Sequence, residues 1–179
     1  MPASPSDYVP QFSTDRRPLV MWLALTVVTL TIMSSIVAAP LLLARGHNLL
    51  GLGIYSAFGY LCHQISDRSF FIAGHQFAVC ARCTGLYAGF TTATLAYPLC
   101  RSMRATTSPR RRWLFLATAP LVIDFALGYF GIWENTHLSR FLTGALLGSV
   151  AVFYVVPGFI DLSLKDWFGV FRRNVVSSN

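Results

Sequence analysis

The sequence predicts an all-α integral membrane protein, a bundle of four transmembrane helices with a short extra helix in the outer loop. Composition is the first sign. Of 179 residues, 54% are hydrophobic and 12% are charged, and mean hydropathy is +0.55, whereas soluble domains carry about 25% charged residues. The second sign is that charge is nearly absent from four long runs, 18–44, 84–100, 113–133 and 141–160. Each falls in the range of roughly 17–25 residues that a helix needs to cross the hydrocarbon core, or exceeds it slightly. The third sign is where the charges lie.

Residues 1–17 are rich in Ser, Pro and Asp, without a period, and are expected to be a disordered cytoplasmic tail. The run 18–44 is too long for the apolar core of a cleavable signal and is read as a retained first span. The outer loop, 45–83, is long enough to need structure of its own. Its apolar stretch 49–61 is too short to span and reads as an interfacial or re-entrant helix. Span two, 84–100, carries Gly85 and Gly89, and span four, 141–160, carries Gly144 and Gly148. Small residues four apart let helices approach closely in lipid, and packing within one bundle is the expected use. Between spans two and three lies an arginine-rich loop, 101–112, and span three, 113–133, encloses Asp124. Residues 161–179 are expected to form a cytoplasmic tail with a short amphipathic helix around Asp161, Lys165, Asp166 and Trp167. Residues 18–160 thus make a single membrane domain.

The formal charge of +7 does not call for nucleic acid. Arg16, Arg17, Arg101, Arg104, Arg110, Arg111, Arg112, Lys165, Arg172 and Arg173 all fall on one side of a four-span chain. Arg45, Arg68, Arg82 and Arg140 are left for the other. The positive-inside rule puts the first group, and both termini, in the cytoplasm of an inner or plasma membrane. The expected partner is the lipid bilayer. Cys62, Cys80 and Cys83 then face an oxidising compartment, and Cys100 sits inert at the opposite lipid boundary.

Cys80-Ala81-Arg82-Cys83 leads into span two, with Cys62-His63 upstream. At a helix start both thiols of the pair meet unpaired N–H groups and the positive end of the dipole, which favours thiolate. Three chemistries share this pattern: soft-metal ligation, thiol–disulfide exchange, and structural thiols. For a metal, zinc or another soft ion, Cys62, Cys80 and Cys83 need one imidazole. His63 and His75 compete for that place, and adjacency to Cys62 counts against His63. For redox chemistry the layout is analogous to four-span thiol oxidases that pass electrons to a quinone, although a second cysteine pair is missing. Asp124, near mid-membrane, either handles a proton or cation or joins helices through hydrogen bonds; the first would make the protein a small ion-coupled transporter. Glu134, Asn135, His137 and Arg140 gather at the outer turn, where Asn135 is expected to cap a helix. No c-type haem signature, phosphate-cradling loop or HExxH pair occurs.

The string Cys62-His63-Gln64, Arg68-Ser69-Phe70, Gly74 and Cys80-Ala81-Arg82-Cys83-Thr84-Gly85-Leu86-Tyr87 with Gly89 resembles a family of small prokaryotic membrane proteins, domain of unknown function 2085. Asp124, Asn135, Arg140 and Thr143-Gly144 look like its later pattern, so the resemblance covers roughly residues 55–150. It implies an integral membrane protein with motif residues Cys62, His63, Arg68, Cys80, Arg82 and Cys83, and no reaction. It also favours His63 over His75, as a ligand or as a hydrogen-bonding neighbour of the site.

Overall fold

A computed structural model describes residues 16–103, 105 and 107–164. The expected N-terminal disorder falls almost wholly outside them, as does the C-terminal amphipathic helix beyond residue 164. Five helices run in order: α1 (Arg17–Ala44), α2 (Asn48–Gly59), α3 (Ala81–Cys100), α4 (Arg112–Tyr129) and α5 (His137–Leu164). Three of them are long and apolar enough to cross a membrane: α1, α4, and α5 over His137–Leu162. The helix α3 has the length, at 20 residues, but apart from Tyr97 its buried side is made of small or polar residues, Ala81, Thr84, Gly85, Gly89, Thr91 and Thr94. Its main packing partners are α5 and α1.

Among the boundaries that differ from expectation, two have a local cause. The third run ends at Tyr129 instead of 133, where Gly131 takes φ +67° and turns the chain. A left-handed backbone at that point ends the helix. The fourth helix starts earlier, at His137, because Thr136 rather than Asn135 caps it: the Ser139 N–H donates to Thr136 Oγ1 at 3.0 Å. This is the bond from the third helical N–H to the side chain of an N-cap residue. The outer loop adds an element that an all-α reading omits. Strands β1 (Phe71–Ile72) and β2 (His75–Gln76) pair antiparallel, with Ile72 opposite His75. Ala73 and Gly74 both have positive φ, +51° and +80°, as a two-residue hairpin requires.

The centre of the bundle is the contact between α3 and α5. A Cβ placed on Gly85 would fall on the Phe141 carbonyl, and one on Gly89 would fall on that of Ala145. In return, Gly144 lies against the Arg82 carbonyl and Gly148 against that of Leu86. Because 85 meets 141 and 89 meets 145, the two helices run parallel, backbone to backbone. Ser149 Oγ adds a hydrogen bond to the Gly89 carbonyl at 3.2 Å. Both glycine pairs thus serve one intramolecular interface, as the spacing predicts.

Proline shapes the rest of the packing. A helical proline lacks an N–H and frees the carbonyl four residues earlier, which in a dry interior needs another donor. Pro98 frees the Thr94 carbonyl, and Trp22 Nε1 of α1 donates to it at 2.8 Å. Pro40 frees the Ile36 carbonyl, which takes the Ala78 N–H at 3.5 Å. The second bond fastens the segment before Cys80 to α1. There Ile36, Ala39, Phe58, Cys62, Ala78 and Val79 form one buried cluster. At the other end Tyr97, Val152, Val156 and Ile160 form a second.

Gly89→Ala should lower stability by about 1–3 kcal/mol, because the backbones must separate. Gly158→Ala, where an added Cβ meets nothing within 4 Å, serves as the control. Thermal unfolding in detergent, followed by circular dichroism, should show a lower midpoint for the first and none for the second; equal midpoints would remove the interface from its central place.

Candidate functional site

Three pieces of chain meet where α3 begins. Cys80 is the N-cap residue of α3, in extended conformation at φ −66° and ψ 162°. Its backbone N–H therefore points away from the helix and donates to Cys62 Sγ at 3.3 Å. Cys83 follows one turn into the helix. Thr84 locks this turn, with its N–H donating to the Cys80 carbonyl at 2.8 Å and its Oγ1 to the same oxygen at 3.1 Å. The outcome is that the Cys62, Cys80 and Cys83 sulfurs all lie within 4.8 Å of one another. Cys62 is buried, and the other two are half-buried.

Two glutamines and a tyrosine hold Cys62 in register with the pair. Gln64 has φ +51°, a conformation that turns its side chain back across the loop. Its Nε2 donates to the Tyr55 carbonyl at 2.7 Å and to that of Ala78 at 2.9 Å. Gln76 Nε2 donates to the Gln64 carbonyl at 3.2 Å, and the Tyr55 hydroxyl donates to the Gln76 carbonyl. Gln64 stands inside the recognised string, yet residue type alone gave it no task. Gln76 and Tyr55 left no sequence signal beyond being polar groups in an apolar loop.

A cavity of about 210 Å³ opens beside the sulfurs. Its wall includes the three cysteines, His63, Arg68, Arg82 and Arg140. His63 is exposed, and its ring nitrogens are not among the atoms gathered within 4.8 Å. His75 is committed to the β-hairpin opposite Ile72 and does not line the cavity. Cys100 is exposed at the far end of α3.

Asp124 lies in the last two turns of α4, nearer the site than a mid-span position, because α4 ends early. Its carboxylate is ion-paired with Arg82. The Asn135 Nδ2 group donates to the Asp124 backbone carbonyl. Of the two uses open to Asp124, the structure displays a joint between α3 and α4. Arg82 also stands over the Phe125 ring, 5.7 Å from its centroid. Arg68 is brought in by its neighbours: Ser69 is buried, with Oγ on the Ile65 carbonyl at 2.9 Å, and Phe70 packs on Phe77, His137 and Phe141. The loop is thereby pinned to the start of α5, where Arg140 stands.

The Cys80 thiol is pulled down from its ordinary value near 9 to about 5. The hydrogen bond from Cys83 is the largest cause; burial opposes it, and the Cys83 N–H, the Cys62 thiol and the Arg82 N–H add to it. A thiolate here is ready to bind a soft metal or attack a disulfide.

In metal-free protein, the rate of Cys80 alkylation by iodoacetamide should stay level from pH 8 to pH 6 and fall through about pH 5. An ordinary thiol loses about tenfold per pH unit below its own, higher pKa. Cys83→Ala removes the main donor and should return the midpoint towards that ordinary value; peptide mass spectrometry reads the site.

A family model described as "Predicted membrane protein (DUF2085)" matches residues 62–154. The stretch runs from Cys62 past Arg140 and so holds every candidate site residue. An uncharacterized protein of Methanocaldococcus jannaschii is 35% identical over 114 residues, covering 64% of this chain and 73% of that protein. Another, from Methanothermobacter thermautotrophicus, is 36% identical over 91 residues, covering 51% of this chain and 80% of its own length. No solved structure matches the chain. With its apolar helices and a match over half its length, the chain belongs to the DUF2085 family of predicted membrane proteins.

Proposed function

We propose that this membrane protein binds a soft metal ion, zinc first among them, through Cys62, Cys80 and Cys83 at the extracytoplasmic end of a four-span bundle. The carrying observation is the convergence of three sulfurs within 4.8 Å. Tetrahedral zinc at a Zn–S distance of about 2.3 Å sets its sulfurs about 3.8 Å apart, so at most about 1 Å of closure is needed. The lowered Cys80 thiol supplies one ligand already deprotonated. An imidazole adjacent to a ligand cannot easily share its metal, which leaves the fourth position facing the cavity. His63 is then the hydrogen-bonding neighbour of whatever fills that position. A zinc ion with three protein ligands supplies Lewis acidity there.

In this reading α3 is the fourth span, enclosed by α1 and α5. Both termini and the 101–112 loop are cytoplasmic, in an inner or plasma membrane, because ten of the fourteen basic residues then face inward.

One observation supports a second reading. A thiolate at Cys80 beside a protonated Cys83 is the arrangement of a dithiol that cycles with a disulfide: the S–S bond forms as two electrons and the Cys83 proton leave, and a quinone takes both electrons, that proton and a second proton from water to become the quinol. Trapping thiols in intact cells distinguishes it, since the redox protein accumulates a Cys80–Cys83 disulfide when the electron acceptor is in excess.

Metal analysis of detergent-purified protein should give one equivalent per wild-type chain and a loss of at least about tenfold in Cys80→Ser and Cys83→Ser. His63→Ala should keep its metal; losing it would make His63 the fourth ligand. A wild-type protein without stoichiometric metal would end the proposal.

A further inference from the structure

A second cavity, of about 280 Å³, adjoins the first and shares its three arginines. Arg68, Arg82 and Arg140 line it with Asn135, Phe125 and Tyr129. No cysteine and no acidic side chain is among its lining residues. We infer that this cavity binds a phosphate group, in the form of a phosphate monoester or free phosphate, independently of the metal site.

Charge is the first argument. Arg82 is neutralised by Asp124. Arg68 and Arg140 have no carboxylate within salt-bridge distance among the described residues. Three guanidinium groups against the Asp124 carboxylate, with the Cys80 thiolate also acting on Arg140, leave a net positive charge that a singly protonated phosphate monoester offsets. Such a concentration of like charge is costly unless an anion joins it, and guanidinium forks suit phosphate oxygens.

Backbone direction is the second. The parallel run of α3 and α5 places both helix N-termini at this end, with Arg82 and Arg140 each in a first turn. The positive ends of two helix dipoles therefore add to the same field. The third argument is hydrogen bonding. Arg82 Nε, a donor, and Asn135 Oδ1, an acceptor, are buried without partners, and both belong to side chains that line the cavity. A phosphate monoester carries acceptor oxygens and, when singly protonated, one donor, so it satisfies both. A carboxylate or a sulfate dianion offers acceptors only.

The outer wall suggests how the ester group is held. Phe125 and Tyr129 stack with centroids 6.0 Å apart, and both are largely exposed on α4. An organic substituent, including the acyl-glycerol part of a lipid, fits against such a wall.

The test uses full-length protein in detergent, titrated calorimetrically with inorganic phosphate, and the same protein mixed with phosphatidic acid or phosphatidylcholine and examined by native mass spectrometry. The expected result is saturable binding of inorganic phosphate or selective retention of phosphatidic acid. The first points to a soluble phosphate source, and retention of phosphatidic acid alone points to a lipid headgroup. Arg140→Gln and Arg68→Gln should each weaken binding about tenfold or more. Arg68 is exposed and outside the spanning helices, so its variant remains informative if Arg140→Gln fails to fold. Cys80→Ser should bind as the wild type does, even with its metal lost. Neither ligand binding, or binding unchanged in both arginine variants, would overturn the inference. Loss of binding in Cys80→Ser would overturn its independence by placing the anion on the metal.

Discussion

The close parallel contact of α3 with α5 is the constraint on which the remainder depends. Glycines at 85, 89, 144 and 148 bring the two backbones together, and parallel helices share the end at which they start. Consequently the first turn of α3, with Cys80, Arg82 and Cys83, stands beside the first turn of α5, with Arg140. Two positive dipole ends meet there, beside the Cys83 hydrogen bond that does most to favour thiolate at Cys80. The arrangement is expensive to build, since it gathers cations at one place. The Arg82–Asp124 pair offsets part of that cost and ties α4 to the assembly.

Polar groups in the interior are used as fasteners rather than tolerated as faults. Pro98 and Pro40 each release a carbonyl, and each carbonyl is claimed by a donor from a different part of the chain: Trp22 in one case, Ala78 in the other. Thr91 Oγ1 donates to the Thr29 carbonyl at 3.3 Å in the same way, from α3 to α1. In a low-dielectric setting such bonds replace water that is absent. They hold α1 against α3 and hold the loop before Cys80 against α1, so the position of the thiols is fixed from both sides. Gln64, with its two carbonyl partners, closes the third side.

Helix existence was legible in the sequence because runs poor in charge leave few alternatives in a chain this apolar. The ends were less so. Thr136 and Gly131 set the limits of α5 and α4 through cap and turn geometry that hydropathy does not register, and Asn135, the more obvious cap, is occupied with the Asp124 carbonyl. The helix α3 was legible from its lack of charge, while its threonines and glycines keep its hydropathy below that of α1, α4 and α5. The three cysteines were legible as a set from their spacing and their shared end of the chain. The placement of histidine was not: reach from a hairpin or from the residue after Cys62 is a three-dimensional matter, and the fold leaves His75 in the hairpin and His63 on the cavity wall. Likewise, the pairing of Asp124 with Arg82 joins residues 42 apart and depends on where α4 stops.

The chemistry of the site rests on whether Cys62, Cys80 and Cys83 act as one ligand set. X-ray absorption at the zinc edge of the purified, zinc-loaded protein tests this most directly. Three sulfur scatterers at about 2.3 Å with one lighter scatterer near 2.0–2.1 Å is the predicted shell. A shell of nitrogen and oxygen alone, or one with fewer than three sulfurs, would contradict the account.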